Sequence, residues 1–266
     1  MSVSEHADGN PRRRCHRPRV IPVLLLKDGL LYKTLRFKDP KYVGDPRIAV
    51  KIFNDKGADE IVLLDIKATP ENRKPDFSLI EEIAGEAFMP LAYGGGVRNQ
   101  DDVKTILGLG VEKIIINTHA FNDPRFVAEA ARRHGSSTIV VSIDAKRDFF
   151  GRYRVHTNGG RNKTSVDPVT HAKRMAKAGA GEILINSIDA DGTLEGYDCN
   201  LIRQVAGSVD VPVVACGGAG NLTDIAEAIR AGSSAAAAGA MFVFQGPHRA
   251  VLITFPDDQK LDKLFS

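Results

Sequence analysis

One spacing recurs along this chain of 266 residues: six pairs of identical residues lie 122 positions apart. The pairs are Gly57 and Gly179, Glu60 and Glu182, Pro90 and Pro212, Gly95 and Gly217, Gly96 and Gly218, and Gly110 and Gly232. A single offset held over several pairs is hard to obtain by chance. The sequence therefore predicts two halves of similar structure.

Short runs of β-branched residues alternate with amphipathic stretches from residue 20 onward. The predicted strands cover 20–26, 60–66, 90–93, 113–117, 138–144, 182–187, 212–215 and 234–238. The predicted helices cover 45–56, 77–87, 100–109, 123–134, 167–178, 198–207 and 221–231. Eight apolar strands that each lead into a helix favour a parallel sheet closed into a (β/α)8 barrel. We predict an α/β fold, a single TIM barrel over residues 19–266 built from two similar half-barrels; an open repetitive sheet is the alternative.

Composition excludes several classes of protein. The net charge is only +3, and much of the basic surplus lies in the first 19 residues, so a broad nucleic-acid surface is not expected. The cysteines Cys15, Cys199 and Cys216 are widely spaced and form no disulfide or zinc pattern. No apolar run approaches the roughly 18 residues of a membrane span. We predict a cytoplasmic protein without cofactor or metal, in which residues 1–18 form a disordered basic tail rather than an RNA-binding arm.

Glycine-rich or polar segments follow four of the predicted strands. Gly94–Gly96 follows the third strand and Cys216–Gly220 the seventh, while Asn117–Thr118 and Gly239–Ala240 end the fourth and the eighth. In a TIM barrel these strand ends meet at the face that carries function. Glycines let backbone N–H groups approach phosphate oxygens, although either glycine pair taken singly is equally consistent with an ordinary turn. Because the segments are related by one offset, we predict two phosphate sites on opposite sides of the barrel mouth.

Seven segments resemble one family of known proteins. They read RVIPVLLLKDG, GADEIVLLDI, AYGGGV, EKIIINTHA, VVSIDAKR, GAGEILINSIDADGT and VVACGGAG. In this order, over about residues 19–245, they resemble HisF, the cyclase subunit of imidazole glycerol phosphate synthase. The resemblance implies a barrel that takes ammonia from a separate glutaminase at its lower end and a bis-phosphorylated ribulose at its upper end. The implied products are imidazole glycerol phosphate and an aminoimidazole carboxamide ribotide.

The resemblance also implies two aspartates, at the ends of the first and fifth strands, that act as general acid and base. The fifth-strand aspartate is Asp144, which could otherwise cap a turn. The first-strand position is Leu25, and a leucine cannot transfer a proton. Asp28 lies three residues later and is not expected to replace it. The predicted catalytic residue is therefore Asp144 alone.

Other family positions are partly changed and partly retained. The changed positions, where the resemblance implies hydroxyl side chains, are Gly159, Asn186, Cys216 and Ala240. The residues predicted to bind phosphate or substrate are Lys33, Gly95, Gly96, Asn117, Thr118, Asp191, Gly192, Gly217, Gly218, Gly239 and Ala240. The implied ammonia gate consists of Arg19, Glu60, Lys113 and Glu182. Without the family, these four charges could equally form a solvated rim or a stabilising network.

The departures favour a divergent branch of the family. LLLKDG, FKDPKYVGDP and GPHRAVLITFP resemble HisF-like proteins encoded with surface-polysaccharide genes, which are associated with amidination of a nucleotide-linked sugar. This implies a synthase (lyase-type) subunit with a HisH-like glutaminase partner, a separate sugar amidotransferase and a role in lipopolysaccharide synthesis. Three alternatives stay open: a histidine-pathway cyclase that tolerates Leu25, a non-catalytic scaffold for a glutaminase, and a phosphate-binding isomerase. The retained gate and the missing aspartate disfavour the isomerase.

Overall fold

The computed structural model describes residues 17–246 and 248–265. Within this part of the chain, eight parallel strands form a closed barrel. They are β1 (Arg19–Lys27), β4 (Ile61–Asp65), β5 (Leu91–Gly94), β6 (Lys113–Ile116), β7 (Ile139–Arg147), β10 (Glu182–Ser187), β11 (Val213–Cys216) and β12 (Ala235–Ala238). β1 pairs with β12 and β4, and the ring closes where β10 pairs with β7. The predicted TIM barrel is confirmed, and each observed strand overlaps its predicted range.

Helices cover the outside of the barrel. They are α1 (Pro46–Asp55), α2 (Phe77–Glu86), α3 (Gln100–Gly108), α4 (Thr118–Asn122), α5 (Pro124–His134), α6 (Pro168–Ala178), α7 (Cys199–Ala206), α8 (Leu222–Arg230), α9 (Ala240–Val243) and α10 (Asp258–Phe265). α1 to α3 and α5 to α8 overlap the seven predicted helices. The short helices α4 and α9 and the terminal helix α10 were not predicted. None of these described helices is long and apolar enough to cross a membrane.

The helix starts repeat between the two halves. The matched N-caps are Asp45 and Asp167, Asp76 and Asp198, and Asn99 and Asn221. Each of these side chains accepts a hydrogen bond from a backbone N–H in the first turn, which satisfies a donor that the helix leaves unpaired. All three pairs are 122 positions apart. The repeat seen in the glycines therefore extends to the capping residues, as two similar half-barrels require.

Two hairpins that the sequence did not predict extend beyond the upper end of the barrel, where the strands finish. β2 (Leu30–Leu35) and β3 (Lys38–Gly44) follow β1, and β8 (Tyr153–Thr157) and β9 (Asn162–Lys163) follow β7. β2 pairs antiparallel with β1, and β8 pairs antiparallel with β7. Because β1 and β7 begin the two halves, the hairpins are equivalent parts of the repeat.

The chain closes with a small hairpin before α10. β13 (Phe244–Gln245) pairs antiparallel with β14 (Ala250–Val251). The described residues of 246–256 form no helix. α10 then buries Leu261 completely in the core.

Most of the predicted disordered tail, residues 1–16, lies outside the described residues. Arg17, at the end of that tail, forms ion pairs with Asp59 at 3.0 Å, with Asp258 at 2.7 Å and with Asp262 at 3.2 Å. Asp258 and Asp262 belong to α10, so these contacts hold the start of β1 to the last helix.

Candidate functional site

A cavity of about 620 Å³ opens at the upper end of the barrel. Strand residues form its floor, and the segments that follow the strands form its wall. All twelve residues predicted to be catalytic or to bind phosphate or substrate line this single cavity. The fold therefore brings together, from both halves, the side chains and glycines that the sequence singled out.

Asp144 lies on the cavity floor in β7, with 7% of its surface exposed. Its Oδ2 accepts a hydrogen bond from Nδ2 of Asn117 at 2.9 Å. Burial disfavours the charged form and raises the pKa of Asp144 to about 7; the Asn117 hydrogen bond opposes this shift, and the nearby Asp191 adds to it. A carboxyl group with a pKa near neutrality can both accept and donate a proton, which suits the predicted acid–base role.

Leu25 in β1 lines the same cavity and brings an alkyl side chain where the resemblance implies a carboxylate. It lies in register with Leu64 in β4, and together they make an apolar part of the wall. Asp28 is exposed in the turn after β1 and does not line the cavity. The paired acid and base implied by the family is therefore missing its first-strand member.

Lys33 reaches into the cavity from β2. Its Nζ donates a hydrogen bond to the carbonyl oxygen of Val23, and a Cβ placed on Gly239 would lie only 2.6 Å from that nitrogen. Burial lowers the pKa of Lys33 to about 8, against the opposing effect of Asp191. Asp191 in turn accepts a hydrogen bond at Oδ2 from Thr34 Oγ1 at 3.1 Å. The β2–β3 hairpin thus places the ammonium group of Lys33 beside the barrel strands, and the hydrogen bond between Thr34 and Asp191 holds the hairpin in this position.

The two glycine turns leave no room for side chains. Gly95 and Gly96 have φ of +124° and +74°, and Gly217 and Gly218 have φ of +86° and +116°, all in the region that favours glycine. A Cβ on Gly95 would lie 2.6 Å from a backbone oxygen of Asp65, and one on Gly218 would approach a neighbouring carbonyl to 2.0 Å. Backbone is therefore packed against backbone at both turns, and each turn lines the cavity.

The two predicted phosphate sites differ in their side chains. Beside Gly95 and Gly96, Asn117 and Thr118 bring an amide and a hydroxyl group, and Thr118 Oγ1 accepts a hydrogen bond from the N–H of Asn158 at 2.9 Å. The matching positions of the second half are Gly239 and Ala240, which carry no polar side chain. The backbones of the halves are alike, but their hydrogen-bonding groups are not.

Further polar residues, which the sequence motifs did not indicate, line the cavity near the first glycine turn. Thr69 Oγ1 accepts a hydrogen bond from the N–H of Gly96 at 3.2 Å. Arg98 donates to the carbonyl oxygen of Arg73 at 3.2 Å and lines the cavity close to the glycine turn. His119 and Arg161 also line it. Of these, Arg98 could have been found, because it directly follows the motif AYGGGV.

Arg19, Glu60, Lys113 and Glu182 form a closed ring of ion pairs at the lower end of the barrel, which we call the gate ring. Arg19 pairs with both Glu60 and Glu182. Lys113 Nζ lies 2.8 Å from Oε2 of Glu60 and 3.1 Å from Oε2 of Glu182. Both glutamates are buried. Each charge has two partners of opposite sign, so neither buried carboxylate is left unpaired.

An apolar interior separates the gate ring from the upper cavity. A small cavity of about 10 Å³ lies just inside the ring, bounded by Glu60, Glu182 and apolar side chains. That is about the room needed for one water-sized molecule. Ile115 and Leu184 line both this small cavity and the upper one. The two spaces are therefore divided by a layer about one side chain thick.

Known proteins resemble this chain along most of its length. It matches the family described as Histidine biosynthesis protein over residues 19–248. A protein of Pseudomonas aeruginosa, provisionally named imidazole glycerol phosphate synthase subunit hisF2, is 49% identical over 92% of this chain and 98% of its own length. A Leptospira interrogans protein, provisionally named subunit HisF of the same synthase, is 43% identical over 94% and 99%. A Vibrio vulnificus protein, provisionally named subunit hisF3, is 44% identical over 94% and 97%. The chain therefore belongs to the histidine biosynthesis protein family and, within it, to the HisF-like proteins.

Proposed function

We propose that this chain is a HisF-type subunit of a glutamine amidotransferase complex and conducts ammonia from the gate ring to the upper cavity. A HisH-like glutaminase is the proposed partner at the lower end. The ammonia serves the amidination of a nucleotide-linked sugar, which a separate sugar amidotransferase carries out. The provisional names of the relatives, which describe them as synthase subunits, support the general class of this proposal.

The gate ring carries the proposal. Burying charges at the mouth of an apolar barrel costs free energy unless every charge is paired, and this ring pairs all four. The small cavity lies directly inside it, and Ile115 and Leu184 border both that cavity and the upper one. A neutral ammonia molecule can cross such a layer, whereas an ammonium ion would lose its hydration there.

Leu25 argues against consumption of the ammonia in the upper cavity. The implied cyclisation needs two groups that transfer protons, and Asp144 is the one that remains at the matched strand ends. The apolar wall of Leu25 and Leu64 offers no substitute. We therefore assign the chemical use of the ammonia to a second enzyme.

A histidine-pathway cyclase is the second candidate, and the intact upper cavity favours it. Asp144 is buried with a pKa of about 7, and Lys33 and both glycine turns line the same space. This arrangement retains most of what the resemblance implies for binding a substrate with two phosphates.

Supplying ammonium salt and the ribulose-phosphate substrate separates these candidates. We expect almost no cyclisation by the unaltered chain, because loss of one acid–base partner typically costs about 10²–10⁴-fold in rate. Leu25→Asp restores the second carboxylate and is expected to raise the rate, whereas Leu25→Asn is the matched control that does not. Robust turnover by the unaltered chain would establish the cyclase instead.

Activation of a glutaminase tests the proposed docking of that partner at the lower end of the barrel. We expect the chain to raise the rate at which a HisH-like glutaminase hydrolyses glutamine. Lys113→Met leaves Glu60 and Glu182 with Arg19 as their remaining partner in the ring and is expected to weaken this activation, and a melting curve checks that the variant stays folded. Lys104→Met, which removes an exposed lysine from the outside of α3, is the matched control. If both variants activate like the unaltered chain, the ring has no role in coupling. A chain that activates the glutaminase but supports no glutamine-driven amidination would be the docking scaffold.

A further inference from the structure

Two adjacent phenylalanines project from the turn that joins β7 to β8. Phe149 is 97% exposed and Phe150 is 75% exposed. Their rings pack edge to face with centroids 5.6 Å apart, so they form one apolar knob. Neither residue lines the upper cavity. An exposed pair of large aromatic side chains costs hydration free energy in an isolated protein and is typical of a surface that another molecule covers.

The turn that carries the knob is rigidly built around Asp148. One oxygen of this carboxylate, Oδ1, accepts hydrogen bonds from the N–H groups of Phe150 at 2.9 Å and Arg152 at 3.0 Å. Its other oxygen pairs with Nε of Arg152 at 3.1 Å and of Arg154 at 3.4 Å. The guanidinium of Arg152 also lies over the Phe150 ring, 5.0 Å from its centroid. The phenylalanines are thus presented in a fixed arrangement, which lowers the entropy lost when a partner binds.

The hairpin is braced against the barrel at its base. Tyr153 Oη donates to the carboxylate of Asp198, 2.8 Å from Oδ1, and Arg147 pairs with the same carboxylate at 2.9 Å. The strand that ends in this turn is β7, which also carries Asp144 on the cavity floor. The knob is therefore braced at the end of the strand that contributes Asp144 to the upper cavity.

The surroundings of the knob are basic. Between residues 146 and 163 there are six lysines and arginines, against three carboxylates that contact the base and the turn of the hairpin: Asp148, Asp189 and Asp198. Asp148 and Asp198 are already paired with arginines of the hairpin. Arg161 and Lys163 are exposed and make no ion pair with the described residues. Charge complementarity therefore selects a partner with an apolar socket edged by acidic side chains.

We propose that Phe149 and Phe150 anchor the enzyme that consumes the ammonia, through an acidic, apolar-centred surface that covers the mouth of the upper cavity. The inference rests on the proposed function. Ammonia that reached an open cavity would be protonated and diluted in water, so the consuming enzyme has to seat over the mouth. The knob lies at the end of β7, which carries Asp144 on the cavity floor, and the other turn of the same hairpin contributes Asn158, Gly159 and Arg161 to the cavity lining.

Binding and activity measurements with the purified sugar amidotransferase test this proposal. The test variant combines Phe149→Ser with Phe150→Ser, and Ile48→Ser, which removes an exposed apolar side chain from α1, is the matched control. Because truncated aromatic anchors typically weaken binding strongly, we expect the double variant to bind at least about 100-fold more weakly, and the control to bind normally. Binding by the unaltered chain is expected to weaken as salt rises.

Activity measurements distinguish failure of the proposed docking surface from failure of the proposed function. The double variant is expected to lose glutamine-driven amidination while it keeps its melting temperature, glutaminase activation and ammonium-driven amidination. If the unaltered chain supports glutamine-driven amidination and the double variant matches it in rate and affinity, the docking surface is wrong and the proposed function stands. If the unaltered chain supports none and binds no amidotransferase, both are overturned. Loss of self-association or of oligonucleotide binding in the variant, with amidotransferase binding unchanged, would assign the knob to another role.

Discussion

Asp144 shows how far a single residue depends on its surroundings. The sequence could indicate its identity and its place at a strand end. It could not indicate the pKa, because the shift arises from burial and from Asn117 and Asp191, which lie on other elements of the barrel. Leu25 is the opposite case. The residue type at this position of the first strand shows by itself, without the fold, that a carboxylate is absent.

The pH dependence of stability follows from the Asp144 pKa of about 7 in the folded state. Because this pKa is above its ordinary value of 3.8, the unfolded chain releases the proton first as the pH rises. Folding is therefore penalised increasingly between about pH 4 and pH 7, and fully above that range. Asp144→Asn keeps the shape and removes the charge. We expect it to melt at least about 3 °C higher than the unaltered chain at pH 8, since about 1 kcal/mol shifts the midpoint by roughly 2–4 °C.

Thermal unfolding followed from pH 4 to pH 8 measures this effect. The gain should shrink as the pH falls toward 4, because the unfolded chain then also takes up the proton and the difference in protonation between the two states closes. Asp101→Asn, at an exposed position of α3, controls for the change in net charge. A gain that is the same at both ends of the pH range would mean that packing, rather than ionisation, explains it.

At the scale of elements, the barrel strands and most helices were predictable because their signals are local. Apolar runs, capping residues and C-terminal glycines all act within a few positions of the element they define. The sequence did not indicate β2 and β3, because Arg36 and Phe37 form their turn with positive φ, where glycine or asparagine would be expected. The β8–β9 turn contains Asn158, Gly159 and Gly160, so that hairpin was detectable.

Leu184 in β10 gives an element-level test of the proposed conduction. This residue borders both cavities, so Leu184→Phe should fill the small lower cavity and thicken the dividing layer. We expect glutamine-driven amidination in the reconstituted complex to fall at least about tenfold, while ammonium-driven amidination and glutaminase activation stay unchanged. Core enlargement typically costs about 1–3 kcal/mol, which a domain of this size tolerates.

Leu184→Met is the matched control, because it nearly conserves volume. Circular dichroism confirms that both variants are folded. Equal glutamine-driven rates in the two variants would indicate that ammonia does not pass this layer.

At the scale of the molecule, the repeat fixes the backbone of both halves but not their chemistry. Capping residues and glycine turns are matched across the 122-residue offset, as the sequence implied. Polar side chains at the cavity are not matched: Thr69, Arg98 and Asn117 correspond by position to Asp191, Gly220 and Gly239. The sequence contained this asymmetry, but its importance depends on which side chains reach the cavity, and that requires the fold.

This asymmetry predicts unequal anion binding at the two glycine turns. Backbone N–H groups are available in both halves, but Arg98 adds a positive charge only beside Gly95 and Gly96. In the second half, the carboxylate of Asp191 lies near the ammonium group of Lys33. The negative charge of Asp191 offsets the attraction of Lys33 for an anion.

We expect calorimetric titration with inorganic phosphate to resolve two sites. Arg98→Gln should weaken the stronger one about tenfold, since a hydrogen bond to a charged group contributes about 1.5–3 kcal/mol. Arg125→Gln, at an exposed position of α5, should leave both sites unchanged. If the two sites have equal affinity for phosphate and Arg98→Gln changes neither affinity, the backbone turns alone determine phosphate binding.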